Sequence, residues 1–114
     1  MPFAGIAVNT NWAVNNKPKV EKVIAIYTKA MIWLYDPKNR EEAVTILMKV
    51  SSLKKDDVEK AYDFLIGGKY FEPTGKVSRS RLNALVDALK ELGDVPTSFS
   101  TDRLFLAGVT QTSD

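Results

Sequence analysis

The stretch Pro18–Tyr35, PKVEKVIAIYTKAMIWLY, decides the fold class because its apolar residues recur at helical spacing. At about 100° per residue they form one broad stripe, with Lys22 and Lys29 on the opposite side. The stripe contains Val20, Val23, Ile24, Tyr27, Ala30, Met31, Leu34 and Tyr35. Pro18 suits the first helical turn, and Asp36-Pro37 ends the helix because proline cannot continue the hydrogen-bond ladder.

This helix is apolar on more than one side. Ile26 and Trp33 lie seven residues apart, on a flank roughly 60° from the main stripe. A short apolar run, Phe3–Val8, suits a buried strand, although periodicity cannot separate it from a helix fragment. Such a flank and a lone strand need covering, since an isolated strand leaves an unpaired edge. The chain alone can bury them against its own Leu104–Val109 segment, against a second copy or by swapping an element. Our hypothesis is a homodimer whose partner surface contains Phe3, Ile6, Ile26 and Trp33.

Three further helices are predicted along the chain. The second follows the cap-like Asn39 and carries Ala43, Val44, Ile46, Leu47 and Val50 before Ser51-Ser52 interrupts it. The third covers Lys55 to Ile66 and ends at Gly67-Gly68, where we expect a left-handed stop. The fourth is capped by Ser78, continues to about Leu92 and closes at Gly93. Its apolar face contains Leu82, Leu85, Val86, Leu89 and Leu92.

The predicted fold is mainly α, with about four helices in an irregular bundle and one or two short terminal strands. The strand candidates are Phe3–Val8 and Leu104–Val109, and the second could also be a docked extended segment. Four asparagines between residues 9 and 16 indicate a turn. A length of 114 residues suits a single domain, 1–114. No apolar stretch is long enough for a membrane-spanning helix, so we expect no membrane insertion.

Composition excludes several kinds of chemistry. Cysteine and histidine are both absent, so thiol catalysis, imidazole catalysis and ordinary zinc sites are excluded. Glu59 and Asp63 share one helix face close to Asp56 and Asp57, but no calcium-loop pattern accompanies them. We interpret these carboxylates as a solvated helix start that the helix dipole favours. No arrangement of residues suggests an enzyme, and no cofactor is expected.

Lysines make the first helix basic. Lys17, Lys19, Lys22 and Lys29 contribute to six basic against two acidic residues in positions 1–40. No arginine pairs or aromatic platform accompany these lysines, so a solvated surface is favoured and nucleic acid is not an expected partner. Weak binding of an anion or of nucleic acid through these lysines is the alternative.

The order of motifs resembles the C-terminal region of substrate-binding proteins of nitrate/sulfonate/taurine-type ABC transporters, the group that includes thiamine-pyrimidine binding relatives. The resemblance lies in Gly5–Leu47, GIAVNTNWAVNNKPKVEKVIAIYTKAMIWLYDPKNREEAVTIL, and in DDVEKAYDFL, Asp56–Leu65. Asn11-Trp12-Ala13, Trp33-Leu34 and Asn39–Ala43 are similar to steps of that family's pattern. The loop Phe71–Ser78, FEPTGKVS, is similar to another step.

The resemblance implies a partial solute-binding component of an importer. The family has two α/β lobes, and this sequence corresponds to neither sheet and to little of the ligand cleft. We therefore assign no ligand residue and expect the chain alone not to bind solute. The missing binding-protein lobe or an ABC permease are the partners that the family implies. The family is periplasmic, whereas this sequence shows no signal peptide and would by itself stay in the cytoplasm. A small helical interaction domain is the alternative function.

Overall fold

A computed structural model of the chain describes residues 5–114. Within these residues it contains five α-helices and two 3₁₀ turns. The helices are α1 Thr10–Asn15, α2 Lys17–Tyr35, α3 Arg40–Ser51, α4 Lys55–Gly67 and α5 Arg79–Leu92. The 3₁₀ turns cover Pro37–Asn39 and Thr101–Leu104. The mainly helical prediction is confirmed, and the four predicted helices correspond to α2–α5.

The first helix, α1, was not predicted. The sequence indicates a turn at the asparagines, but Asn9 acts as an N-cap whose side chain accepts a hydrogen bond from the Trp12 amide at 3.1 Å. Capping by asparagine satisfies an amide that the first helical turn leaves without a partner. The same residue type that favours turns therefore starts a short helix here.

Neither strand prediction is confirmed within residues 5–114. Residues 5–9 form neither helix nor strand, and Phe3 lies outside the described residues. Leu104 ends the second 3₁₀ turn, and residues 107–109 form a turn. The only strand-type pairing in the described part is an isolated parallel bridge between Val77 and Thr112. Two short apolar runs cannot make a sheet without a neighbouring strand to satisfy their backbone groups.

The chain forms two compact units. The first contains the described residues up to Ala25 together with Lys76–Asp114, and the second contains Ile26–Gly75. In the first unit the buried residues Ala13, Val20 and Val109 form a small apolar cluster, with Ile24 and Leu106 packed against it. The segment at residues 106–109 is therefore docked by apolar burial, but as a turn and not as a strand.

The second unit has its own core between α3 and α4. Its buried residues are Ala43, Val44, Val58 and Tyr62, and the half-buried residues packed on them are Trp33, Leu34, Met48 and Ile66. The Tyr62 hydroxyl donates a hydrogen bond to the Leu34 carbonyl at 2.7 Å, and the Tyr35 hydroxyl donates one to the Phe71 carbonyl. Tyrosine thus fills the core with its ring and ties separate segments together through its hydroxyl.

Helix ends in this unit differ in detail from the prediction. Asn39 occupies the N-cap position of α3, but its side-chain amide donates to the Trp33 carbonyl at 2.9 Å instead of capping the helix. Gly68 is right-handed, with φ −79°, and Lys69 takes the left-handed conformation, with φ 48°. The predicted glycine stop after α4 is therefore displaced by one residue. Ser52, with φ 58°, ends α3 in the same left-handed way.

Gly75 is the glycine whose missing side chain matters most for packing. Its φ is +70°, and a β-carbon added there would lie 2.8 Å from the Thr28 α-carbon. The loop after α4 thus contacts α2 through bare backbone, which only glycine permits in this conformation.

We predict that Gly75→Ala destabilises the protein by about 2 kcal/mol or more, because a left-handed φ penalty of about 1–2 kcal/mol adds to a backbone clash. Gly93→Ala is the matched control, since Gly93 has φ +81° but open space around its α-carbon. It should cost only the conformational penalty. Urea unfolding followed by circular dichroism measures both, and equal losses would contradict the packing role of Gly75.

Candidate interaction surface

The predicted partner residues lie in different environments. Ile26 and Ile6 are both largely exposed, at 67% and 66%. Trp33 is half-buried and packs against the α3–α4 core, so much of its ring already has a partner in its own unit. Ile6 belongs to the first unit, and Ile26 and Trp33 belong to the second. Their use by a partner remains a prediction.

The α3 helix presents a second apolar face besides the one that packs in the core. Ala43 and Val44 are buried and Met48 is half-buried, whereas Ile46, Leu47 and Val50 are exposed, Val50 to 80%. On a helical wheel the buried and exposed residues together occupy an arc of about 200°, wider than one packing face needs. The width of this arc is the sequence feature that could have predicted an exposed apolar face, because α4 and the end of α2 cover only part of the arc.

Leu53 extends this surface beyond the helix end. It follows the left-handed Ser52 and is exposed to 55%. We call Ile46, Leu47, Val50 and Leu53 the α3 apolar surface. Four large aliphatic side chains within eight residues make a contiguous exposed patch of the kind that marks contact sites.

Other exposed apolar side chains are spread over both units. In the second unit they include Ile32 and Phe64, and in the first they include Trp12, Val14, Val23 and Leu92. Val23 belongs to the predicted apolar stripe of α2 and Leu92 to the predicted apolar face of α5, but both are exposed. Single exposed apolar residues are ordinary in proteins, so the α3 apolar surface carries more weight than these.

Two acidic residues of α4, Glu59 and Asp63, are paired with Arg40. The Arg40 guanidinium bonds Asp63 in a two-pronged arrangement, Nε to Oδ1 at 3.0 Å and Nη2 to Oδ2 at 2.9 Å. Its Nη1 also contacts Glu41 at 3.2 Å and Glu59 at 3.4 Å. The hydrogen bond from Arg40 lowers the pKa of the Asp63 carboxyl, and the bond to Asp63 raises the pKa of Arg40. Glu59 and Asp63 therefore join α4 to the start of α3 through Arg40.

The remaining titratable and charged side chains were predicted to form no metal site and a solvated basic surface. Among them no group of three or more acidic, histidine or cysteine side chains is placed to hold a metal ion. Tyr62 has a raised pKa, caused mainly by burial, and its hydroxyl already donates to Leu34. The lysines of α2, Lys17, Lys19, Lys22 and Lys29, are all exposed. No helix among residues 5–114 is long and apolar enough to cross a bilayer.

Comparisons with known proteins identify no relative. No protein family, no curated protein and no solved structure matches this chain.

Asp63→Asn should lower the stability of the protein at neutral pH, because it removes the carboxylate that receives both prongs of Arg40. The pKa of Asp63 is depressed in the folded state. Its stabilising contribution is therefore present above the unfolded value of about 3.9 and is lost as the pH falls through the folded value. The stability gap between wild type and variant should close at acid pH.

Thermal unfolding at pH 7 and at pH 2.5 measures this gap. Asp57→Asn is the control, because it removes a charge from the first turn of the same helix outside the Arg40 cluster. A gap for Asp63→Asn that persists unchanged at acid pH would show that the carboxylate acts by packing and not by its charge.

Proposed function

We propose that the chain is a partial solute-binding component of an ABC-type importer, of the nitrate/sulfonate/taurine and pyrimidine group. In this role its helices cover a larger neighbour and bind no solute alone. The single observation that carries the proposal is the α3 apolar surface, with Val50 80% exposed. Burial of apolar surface contributes about 25 cal/mol of favourable free energy per Å², so a neighbour that covers such residues is favoured.

The positions of the resembling segments support this proposal. Trp33-Leu34 ends α2 against the core of the second unit, and Asn39–Ala43 begins α3. The loop FEPTGKVS contains Gly75, which contacts the α2 backbone at Thr28. These three motifs thus coincide with helix boundaries and close contacts of the second unit.

The proposal includes periplasmic residence and a lobe or permease as the covering neighbour. It also includes self-association of the isolated chain, since apolar faces without their neighbour will bury each other. The residues that we assign to this homodimer are Ile6 in the first unit and, in the second unit, Ile26, the half-buried Trp33 and the α3 apolar surface.

A small helical interaction domain is the second candidate. The same α3 apolar surface favours it, because a helix presenting apolar residues at spacings of three and four is a common docking element. The two candidates differ in the size of the native polypeptide. The importer proposal places these helices in a much larger protein, whereas the interaction domain does not.

The mass of the native polypeptide separates these candidates. An antibody raised against Arg79–Leu92 should detect a protein several times heavier than 12.7 kDa in the periplasmic fraction if the importer proposal is correct. A band at 12.7 kDa outside the periplasm would favour the interaction domain. The antibody should be checked on the purified chain.

Calorimetry tests solute binding directly. Titration of the purified chain with nitrate, taurine, an alkylsulfonate or a hydroxymethylpyrimidine should give no binding heat, because the proposal places the ligand cleft largely on the missing neighbour. Micromolar affinity for any of these solutes would refute the statement that the chain alone is not competent.

Light scattering behind a sizing column tests self-association. The wild type should give a dimer mass at high micromolar concentration, and Val50→Lys should shift it towards monomer with stability changed by less than about 0.5 kcal/mol, since Val50 is exposed. Thr45→Lys is the control, because Thr45 is an exposed polar residue of the same helix. A wild-type chain that stays monomeric would reject the homodimer.

A further inference from the structure

Residues 109–114 contact other parts of the first unit at both of their ends. At one end Val109 is buried in the apolar cluster of Ala13 and Val20. At the other end the side chain of Asp114 contacts the first turn of α5, 34 residues away from Ser80 in the chain. We call residues 109–114 the strap.

The Asp114 end is held by an unusual number of donors. Its carboxylate accepts from the Arg79 amide at 2.6 Å, the Ser80 amide at 3.3 Å and the Ser78 hydroxyl at 3.1 Å, and also from the Ser80 hydroxyl. These bonds, the one from Ser80 foremost, lower the pKa of Asp114. A carboxylate at a helix start also gains from the helix dipole.

Between its two ends the strap pairs with Val77. The Val77 amide donates to the Gln111 carbonyl at 3.0 Å, and the Ser113 amide donates to the Val77 carbonyl at 3.0 Å. The Asp114 end is held by hydrogen bonds from exposed or half-buried residues, whereas the Val109 end is held by apolar burial. Exposed hydrogen-bonded segments open locally at lower free energy than buried ones.

We propose that the strap is a lid over the apolar cluster of α1 and α2, locked by the Asp114 carboxylate on α5. Release of Asp114 frees residues 111–114 from Val77 and allows Val109 to leave Ala13 and Val20. The lock is sensitive to negative charge at Ser80, whose hydroxyl contacts Asp114, because two anions at hydrogen-bond distance repel.

Amide exchange tests the lock. In Asp114→Asn the Ser113 and Val77 amides should exchange about tenfold faster than in wild type or more, since bonds to a charged acceptor are the strong ones. Asp87→Asn, on the exposed side of α5 beside Lys90, is the matched control and should leave both amides unchanged.

Ser80→Glu distinguishes the lock from a general loss of stability. A carboxylate in the first turn favours α5 through the dipole, so the α5 amides should stay as protected as in wild type, while the Ser113 and Val77 amides should exchange faster. Ser80→Ala removes the hydroxyl without adding charge and should have a smaller effect. Equal exchange at Ser113 in wild type, Asp114→Asn and Ser80→Glu would overturn the lock.

The fluorescence of a dye that binds exposed apolar surface measures whether the apolar cluster becomes uncovered. Anilinonaphthalene sulfonate should bind Asp114→Asn and Ser80→Glu more strongly than wild type, and Asp87→Asn no more strongly. Faster exchange without any gain in dye binding would show that the strap moves without uncovering the cluster, and would overturn its role as a lid.

Discussion

The α3 helix carries apolar side chains around more of its surface than its own unit can cover. Val44 and Met48 face α4, whereas Val50, on the far side of the helix, is 80% exposed. Because apolar burial is the main favourable term in folding, an uncovered face of this size constrains what the protein can be. The proposed neighbour, the proposed dimer and the alternative of an interaction domain all follow from that constraint.

Within each unit, specific polar contacts join the helices and turns of that unit. Arg40 ties the start of α3 to α4 through Asp63, and the Tyr62 hydroxyl ties α4 to the end of α2. In the first unit Arg79 pairs with Asp102 at 2.6 Å and lies 4.1 Å from the Phe105 ring centroid. Where the apolar core is small, as for Ala13 with Val20 and Val109, such polar contacts specify much of how the elements pack.

Helices could be predicted where one signal dominated. The periodic stripe and the flanking prolines located α2, and Ser78 with Gly93 located α5 within a residue. Helix α1 could not be predicted, since asparagine favours both turns and N-caps, and only the Trp12 amide in place shows which applies. The exposed face of α3 could not be predicted, because a helical wheel shows which residues are apolar and not which side finds a neighbour.

The sequence by itself determined the helical class, the positions of four helices and the exclusion of thiol and imidazole chemistry, because these depend on local spacing and residue type. The tertiary structure alone decided which apolar residues are buried, that Arg40 gathers Glu59 and Asp63, and that Asp114 bonds the first turn of α5 at Ser80, 34 residues away. Such pairings join residues far apart in the chain, and no local pattern encodes which distant side chains meet once the helices pack.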